Sequence, residues 1–494
     1  MSNDAKKPRK TVARVPRGFR DLTAADVVTR RRMIDTVTGV YERYGFTPLE
    51  TPAVEYLDCL GKFLPEADQP DGGVFAWKND EDEWVSLRYD LTAPLSRYVA
   101  ENFQDLGTPF RRYQTGPVWR QEKPGPGRFR EFTQLDIDIV GAGSMVADAE
   151  VACVIAEAME ALGIPRGSYE VRMNDRKVLN GLLEKVGCTP ERSLRVLRSL
   201  DKIDRVGPEG VRDLLGPGRV DPSGDKMEGA GLEPKQIDTL LAYLAAPDDR
   251  AGYLRVVREL VSGTKDGDEG TAEMTELDAI LTERGVGDDR VRFSAAVVRG
   301  LAYYTGPVLE VVLTFPVPSD EAGGATQPFG SVAGGGRYDG LVGRFLGQQV
   351  PSTGASIGVD RLLAALKALK KLPARPGRCP VLVTAIEAQY RRDYQQMAVE
   401  LRAAGLNVEL YVGSGGVGKQ FKYADKRGFT VAVVAGGNEL GKGEVSVKDL
   451  RQGQELAQEV GDRNEWLKTL PGQVTIPREK LVETVKEFLA RYPG

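Results

Sequence analysis

Not one of the 494 residues is histidine. That excludes Ser-His-Asp hydrolysis, Cys-His proteolysis, His-zinc ligation and imidazole proton shuttling together. Arginine-assisted phosphate chemistry survives the exclusion, because it works by positioning and charge stabilisation and needs no protein base. Cysteine is scarce as well. Cys59, Cys153, Cys188 and Cys379 stand without C-x-x-C spacing, which argues for ordinary buried thiols, no disulfide framework and no zinc. No long apolar run suggests a signal peptide or a membrane span, so a soluble, cytoplasmic protein with no membrane partner is expected. A formal net charge of −4 with 28% charged residues gives no bulk attraction for nucleic acid, although a local basic face can still grip RNA. The mononucleotide loop G-x-x-x-x-G-K-[ST] and a G-x-G-x-x-G after a strand are also missing. GVGKQFK (416–422) is a near miss that reads as a turn into a helix.

What is present exceeds one core, and two or three domains are expected. Residues 1–15 are polar and predicted disordered. A helical pattern runs from Ala24 to Tyr44, and FTPLETPAVEY (46–56) is extended, its two prolines suiting an edge or interface strand. VFAWKNDEDEWVSLRYDLTAP (74–94) reads as a hairpin around Asn79–Asp82. Two strand patterns between Tyr113 and Val140 flank the loop EKPGPGR, and helix and strand patterns continue to about residue 190. Residues 191–289 read as an inserted helical module. Strand patterns return in 290–373, with VVRGLAYYTGPVLEVVL (297–313) read mostly as a buried strand and 321–345 as turn-rich. ARPGR (374–378) is a linker, and 379–494 forms a smaller α/β domain with a mainly helical tail after Gln452.

Four stretches carry chemistry. REFTQLDIDIV (130–140) alternates: Leu135, Ile137 and Ile139 face one way, and Phe132, Gln134, Asp136 and Asp138 the other. That second face is either an ordinary solvated face or a polar ligand floor; the nearby Arg120, Glu122, Arg128 and Arg130 fit the floor. SLRYDLTAP (86–94) places Arg88, Asp90 and Thr92 at the same period. Asp90 and Thr92 suit an ammonium ligand, or equally a helix cap. GGGRYDG (334–340) allows close backbone approach or positive φ. GASIGVDRLL (354–363) puts Arg361 at a helix start, against the helix dipole; a bound polyphosphate would resolve this, as would an ion pair with Asp360 or a neighbour. Arg299, inside an apolar run, needs an anionic partner. Together these arginines fit ATP held on an antiparallel sheet.

FTPLETPAVEY, VWRQEKPGPGRFREFTQLDIDIVG, VVRGLAYYTG, GGGRYDGL and GASIGVDRLL, in that order, resemble the class II aminoacyl-tRNA synthetases, specifically the histidyl-tRNA synthetase family. The resemblance runs from Pro16 to about Leu450. It implies an α+β protein: an antiparallel six-stranded catalytic core (16–190 and 290–373), a helical insertion (191–289) and a C-terminal anticodon-binding α/β domain (379–494). It also implies a homodimer that activates L-histidine with ATP and Mg²⁺ and transfers it to tRNA(His). Arg120 then resembles the arginine at the α-phosphate and substrate carboxylate, Glu122 the residue near the adenine amino group, and Arg361 the arginine at the γ-phosphate. Arg299 resembles the signature arginine of activation, and Arg128 joins the ATP side. Asp90, Thr92 and Gln134 would hold the substrate ammonium, while Asp138 and Tyr304, with neighbouring Tyr303, would face the imidazole. The family pattern leaves the metal ligands unassigned.

The chain departs from that pattern at Ala302, where the signature carries an acid, and at Asp90, Asp138 and Asp360, where Glu is usual. These departures resemble the divergent alphaproteobacterial histidyl enzymes, whose tRNA lacks an extra 5′ guanosine. The alternative is the family's non-catalytic relative that regulates ATP phosphoribosyltransferase, which generally lacks the C-terminal domain and degrades the signature peptides.

Overall fold

Period-two patterning builds the main sheet. Leu135, Ile137 and Ile139 alternate with Gln134, Asp136 and Asp138, and the apolar set is wholly buried in the core. The computed structural model describes residues 11–60, 73–124, 128–220, 226–298, 303–317, 327–328, 330–368, 380–452 and 472–492. Among these, eight strands form one mixed sheet: β1 Thr47–Pro48, β2 Phe110–Trp119, β3 Glu131–Val140, β4 Tyr169–Asp175, β5 Val291–Phe293, β6 Pro307–Leu313, β7 Ser331–Arg337 and β8 Ser352–Gly358. Their spatial order is β1-β2-β3-β8-β7-β6-β4-β5. The stretch from β2 to β4 in that order is antiparallel throughout. Short β1 and β5 add parallel edges. Pro48 sits in the edge strand, where a missing N–H breaks no inner ladder.

The helix Met145–Ala161 starts at Ser144, whose hydroxyl accepts from the Val146 N–H at 3.2 Å. Its Val151, Ile155 and Met159 share one core with Ile137, Val311 and Ile357 of the sheet. The helices Pro190–Leu200, Ile203–Leu215, Pro234–Leu244, Arg250–Val261 and Lys265–Glu283 feed Leu200, Tyr243, Val257 and Leu277 into that core. A smaller sheet, Val54–Tyr56, Trp84–Leu87 and Ala76–Lys78, contains the expected hairpin. In its turn the Asn79 side chain accepts from the N–H groups of Glu81 and Glu83.

Two sequence expectations are corrected. Among the described residues of the apolar run 297–313, only Pro307–Leu313 is strand. Val297 and Val298 are buried, but they follow a turn in which the Val297 N–H donates to the Ser294 carbonyl. Apolar composition reported burial there, not extension. The glycine-rich stretch before Tyr338 is likewise not all turn, since Gly334, Gly335 and Gly336 lie inside β7.

The chain divides into two compact units, Met1–Asp21 with Arg30–Leu372 and Leu22–Thr29 with Pro373–Gly494. In the second, β9 Val381–Val383, β10 Val408–Leu410, β11 Val431–Val434, β12 Glu444–Asp449 and β13 Gln473–Pro477 form a sheet in the order β10-β9-β11-β12-β13. The first three in that order are parallel and the last two pairings antiparallel. The helices Arg391–Ala403 and Leu481–Ala490 bury Met397, Leu401, Val485 and Phe488 with Val381, Val433 and Val447. The tail is therefore not only helical: β13 pairs with β12 before the last helix. The 374–378 linker and Cys379 lie outside the described residues, as do residues 1–10 of the polar N-terminus. The whole is α+β, an antiparallel-rich core with a helical region and a C-terminal α/β unit, as expected. No helix among the described residues is long and apolar enough to cross a membrane.

Candidate active site

Strand register assembles the site in rows. Arg112, Asp138, Gly354 and Gly336 stand side by side across β2, β3, β8 and β7. Gln114, Asp136, Ser356 and Gly334 form the next row, and Gln134 lies between Gly116 and Gly358 in the third. Residues in register share a face, so this face is acid, amide, arginine and glycine. Asp136 and Asp138 are each only 2% exposed, and Gln134 7%. That burial decides between the two sequence readings: the face is a polar floor withdrawn from water, not a solvated surface.

Glycine makes room for it. A Cβ at Gly354 would collide with Asp138 Oδ1 and the Ile137 carbonyl. One at Gly336, where φ is +155°, would meet the Pro307 carbonyl at 2.5 Å and the Tyr304 ring at 3.1 Å. Asp138 is held from two sides. Tyr338 donates its hydroxyl to Oδ1, and Arg112 stands 2.8 Å from Oδ2 as an ion pair. That contact lies off the hydrogen-bond line, so it supplies charge more than direction. Arg112 is fully buried and also donates to the Leu91 carbonyl at 2.9 Å.

Burial raises the carboxyl of Asp138, with Arg112 and Tyr338 opposing. Burial pushes Asp136 up to about 7, Arg112 again pulling downward. Asp136 Oδ1 has no hydrogen-bond partner among the described residues, and neither has Gln134 Oε1, although Gln134 Nε2 donates to Ser356 Oγ at 2.7 Å.

The predicted site residues fall into three groups. Asp90, Gln134, Asp138, Tyr303 and Tyr304 are brought together. The Tyr304 hydroxyl is raised by burial first and then by the charges of Asp90, Asp136 and Asp138. The Tyr303 ring lies 4.9 Å from that of Tyr304 and 6.2 Å from that of Tyr338. Asp90 also realises the capping alternative: Oδ1 accepts from the N–H groups of Thr92 and Ala93, at 3.2 and 2.9 Å, where the helix Thr92–Glu101 begins. Burial raises its carboxyl against those two bonds and the charges of Arg120 and Arg112.

Arginines and the phenol-bound acid border this cluster. Arg120 stacks over the rings of Tyr89, at 4.3 Å, and Phe132, at 5.1 Å, with Nε donating to the Tyr89 carbonyl at 3.3 Å. Glu122 is exposed and accepts from the Tyr89 hydroxyl at 3.3 Å. Arg361 lies at the start of the helix Val359–Ala368, its guanidinium against Gly330. Asp360 beside it is claimed by Arg20 at 2.5 Å and by the Thr133 N–H at 2.6 Å.

In the third group Arg128 is exposed, and Arg299, with Ala302, lies outside the described residues, as do 125–127 of the EKPGPGR loop. Sequence reasoning missed Arg112 and Tyr338, and it noticed Asp136 without a role. The signal existed for Arg112: in FRRYQTGPVW it and Gln114 alternate with Tyr113 and Thr115, the same period two as β3. Among the described residues no cluster of three His, Cys, Asp or Glu could hold a metal.

Comparison with known proteins gives the following. Residues 18–362 match the family model described as histidyl-tRNA synthetase, and residues 380–488 the anticodon binding domain. The histidine–tRNA ligase of Rhizobium leguminosarum bv. trifolii is 50% identical over 99% of this chain and 97% of its own length. That of Paracoccus denitrificans is 50% identical over 99% and 100%. Among solved structures, the histidyl-tRNA synthetase from Nostoc sp. superposes with a TM-score of 0.71 at 29% identity, covering 97% of this chain and 100% of that one. A Bacillus halodurans protein described as an ATP phosphoribosyltransferase regulatory subunit/histidyl-tRNA synthetase gives 0.64 at 25% identity, covering 84% and 97%.

Proposed function

The chain belongs to the histidyl-tRNA synthetase family, and from that premise we propose how the polar face of its sheet serves the reaction. The activity is ATP-dependent: L-histidine and ATP give histidyl-adenylate and pyrophosphate, and the histidyl group then passes to the 3′ end of tRNA(His). Gln134, Asp136, Asp138, Asp90, Thr92, Tyr303 and Tyr304 form the histidine pocket. Arg120, Glu122, Arg128 and Arg361 take the ATP side. The observation that carries this reading is the buried polar row over a glycine floor, because polar groups so withdrawn from water are costly unless a polar ligand fills the space.

In the first step a carboxylate oxygen of histidine bonds to the α-phosphorus while the bond to the bridging oxygen of pyrophosphate breaks. The electron pair leaves with pyrophosphate, and no proton moves. A protein without histidine therefore lacks nothing the step requires. Charge grows on the α-phosphate oxygens, where Arg120 and Arg299 meet it, while Arg361 meets the γ-phosphate of the departing pyrophosphate. Mg²⁺, when bound with the ATP substrate, would supply screening of phosphate charge.

Residues 16–190 and 290–373 are the catalytic domain, 191–289 the insertion, 374–378 the linker and 379–494 the anticodon-binding part. The protein works in the cytoplasm as a homodimer paired through the 46–56 segment. The regulatory-subunit alternative is disfavoured by the match of residues 380–488 to the anticodon binding domain.

Histidine-dependent ATP–pyrophosphate exchange tests the reading. Arg299→Ala should lower kcat far more than it raises KM for histidine, because its partner is charge that develops in the transition state. Raised KM with unchanged kcat would refute that role, and no exchange with any amino acid by a folded wild type would refute the pocket.

A further inference from the structure

Two carboxylates share the buried face of β3, and their surroundings differ. Asp138 is engaged by the protein: the Tyr338 hydroxyl bonds one oxygen, the Arg112 guanidinium 2.8 Å from the other offsets its charge as an ion pair without a hydrogen bond, and the Gly354 backbone lies against its tip. Asp136 is equally buried, yet Oδ1 has no hydrogen-bond partner among the described residues. One step along the same face, Gln134 is fixed by its Nε2 on Ser356 Oγ at 2.7 Å, which leaves Oε1 as a second unpartnered acceptor. Ser356 is the register partner of Asp136, so one hydroxyl anchors the pair.

A buried acceptor left open is expensive, and two neighbouring ones, one of them anionic, match a small cation with several N–H donors. The amino acid brings such a cation in its ammonium group. Asp90, expected to meet it, has committed Oδ1 to the N–H groups of Thr92 and Ala93 at the helix start.

We propose that Asp136, together with Gln134, holds the ammonium group of the bound amino acid, while Asp138 serves as a positioning residue that fixes Tyr338 and Arg112. This rests on the assignment of the sheet face to histidine. It moves the charge-bearing contact for the substrate nitrogen from the helix start to the middle of the sheet floor. The sheet is the stiffer element, so the substrate carboxylate beside that nitrogen is held in a fixed direction toward the phosphate.

Exchange kinetics of Asp136→Asn test it. The expected result is a rise in KM for histidine of about 10- to 100-fold, the loss of one charge-assisted bond, with KM for ATP within about twofold of wild type. As competitive inhibitors, histamine should weaken in parallel, whereas 3-(imidazol-4-yl)propionate, which has the ring but no ammonium, should not. An unchanged histidine KM overturns the proposal. An equal weakening of imidazolylpropionate also overturns it, and assigns Asp136 to the ring instead. Should Asp136→Asn fail to fold, Ser356→Ala carries the test: a rise in histidine KM of about 3- to 10-fold is expected, and no rise overturns it. Wild type without histidine-dependent exchange would instead sink the pocket assignment itself.

Discussion

Asp136 has a carboxyl that burial pushes up to about 7 from an ordinary 3.8, with Arg112, Asp138, Ser356 and Asp90 around it and Arg88 within reach of its charge. Between about pH 4 and 7 the folded chain then binds its proton more tightly than the unfolded chain. Stability from this group is present below that window and is lost as pH rises through it, by an amount on the order of a few kcal/mol. Asparagine at the same position does not titrate. Without histidine, Asp136→Asn is expected to melt near wild type at pH 4.5 and above it at pH 8, by thermal unfolding at both; a difference that does not change with pH would disprove the shift. At one fixed histidine concentration, histidine should stabilise wild type at pH 8 more than it stabilises Asp136→Asn. The sequence made Asp136 and Asp138 visible as a pair on one face, because alternation needs no tertiary information. It gave no means of telling the occupied carboxylate from the open one, since Arg112 and Tyr338 arrive from strands and turns far along the chain.

At the scale of elements, β7 shows what a glycine run is for. A Cβ at Gly334 would meet only the Leu309 carbonyl, at an ordinary 3.5 Å. At Gly335 it would collide with the Gly354 carbonyl and the Ala355 backbone, and at Gly336 with the Pro307 carbonyl. Gly334→Ala should therefore stay within about 0.5 kcal/mol of wild type in urea unfolding, whereas Gly335→Ala and Gly336→Ala should each cost about 2 kcal/mol or more. Equal costs at all three would refute this division. The sequence leaves close backbone approach and positive φ both open at these glycines and reads the surrounding segment as turn-rich, because glycine is conformationally free. Here the need is close passage of three central strands under a ring and a carboxylate, and only the sheet order reveals it. A second element-level link is Asn174 at the end of β4. Its Nδ2 donates to the Tyr243 hydroxyl at 2.7 Å and the Val297 carbonyl at 2.8 Å, and its Oδ1 accepts from the Tyr253 hydroxyl at 2.5 Å. Asn174→Ala would take this partner from the Val297 carbonyl and the Asp175 N–H and leave the Tyr243 and Tyr253 hydroxyls with only each other, and a loss of about 2–4 kcal/mol in the same assay is expected.

For the molecule as a whole, two compact units, each with a main core of its own, should give two unfolding events. One is centred on Ile137, Ile155 and Leu277, the other on Val381, Leu401 and Val485. Calorimetry is expected to resolve two transitions, with histidine and ATP raising only the one that contains the β3 face; a single transition raised as a unit would refute independence. The amino-acid sequence by itself excluded imidazole chemistry and left arginine-assisted phosphate chemistry open, and the family motifs then selected it. It also determined the strands of the main sheet wherever alternation was strict, and the family. Tertiary structure decided which side of β3 escapes water, which of its two carboxylates is left open, that Val297 and Val298 are buried after a turn while the strand spans Pro307–Leu313, and that the tail adds β13 to a sheet. These properties depend on what a residue meets across the fold, and burial and register are set by partners distant in sequence.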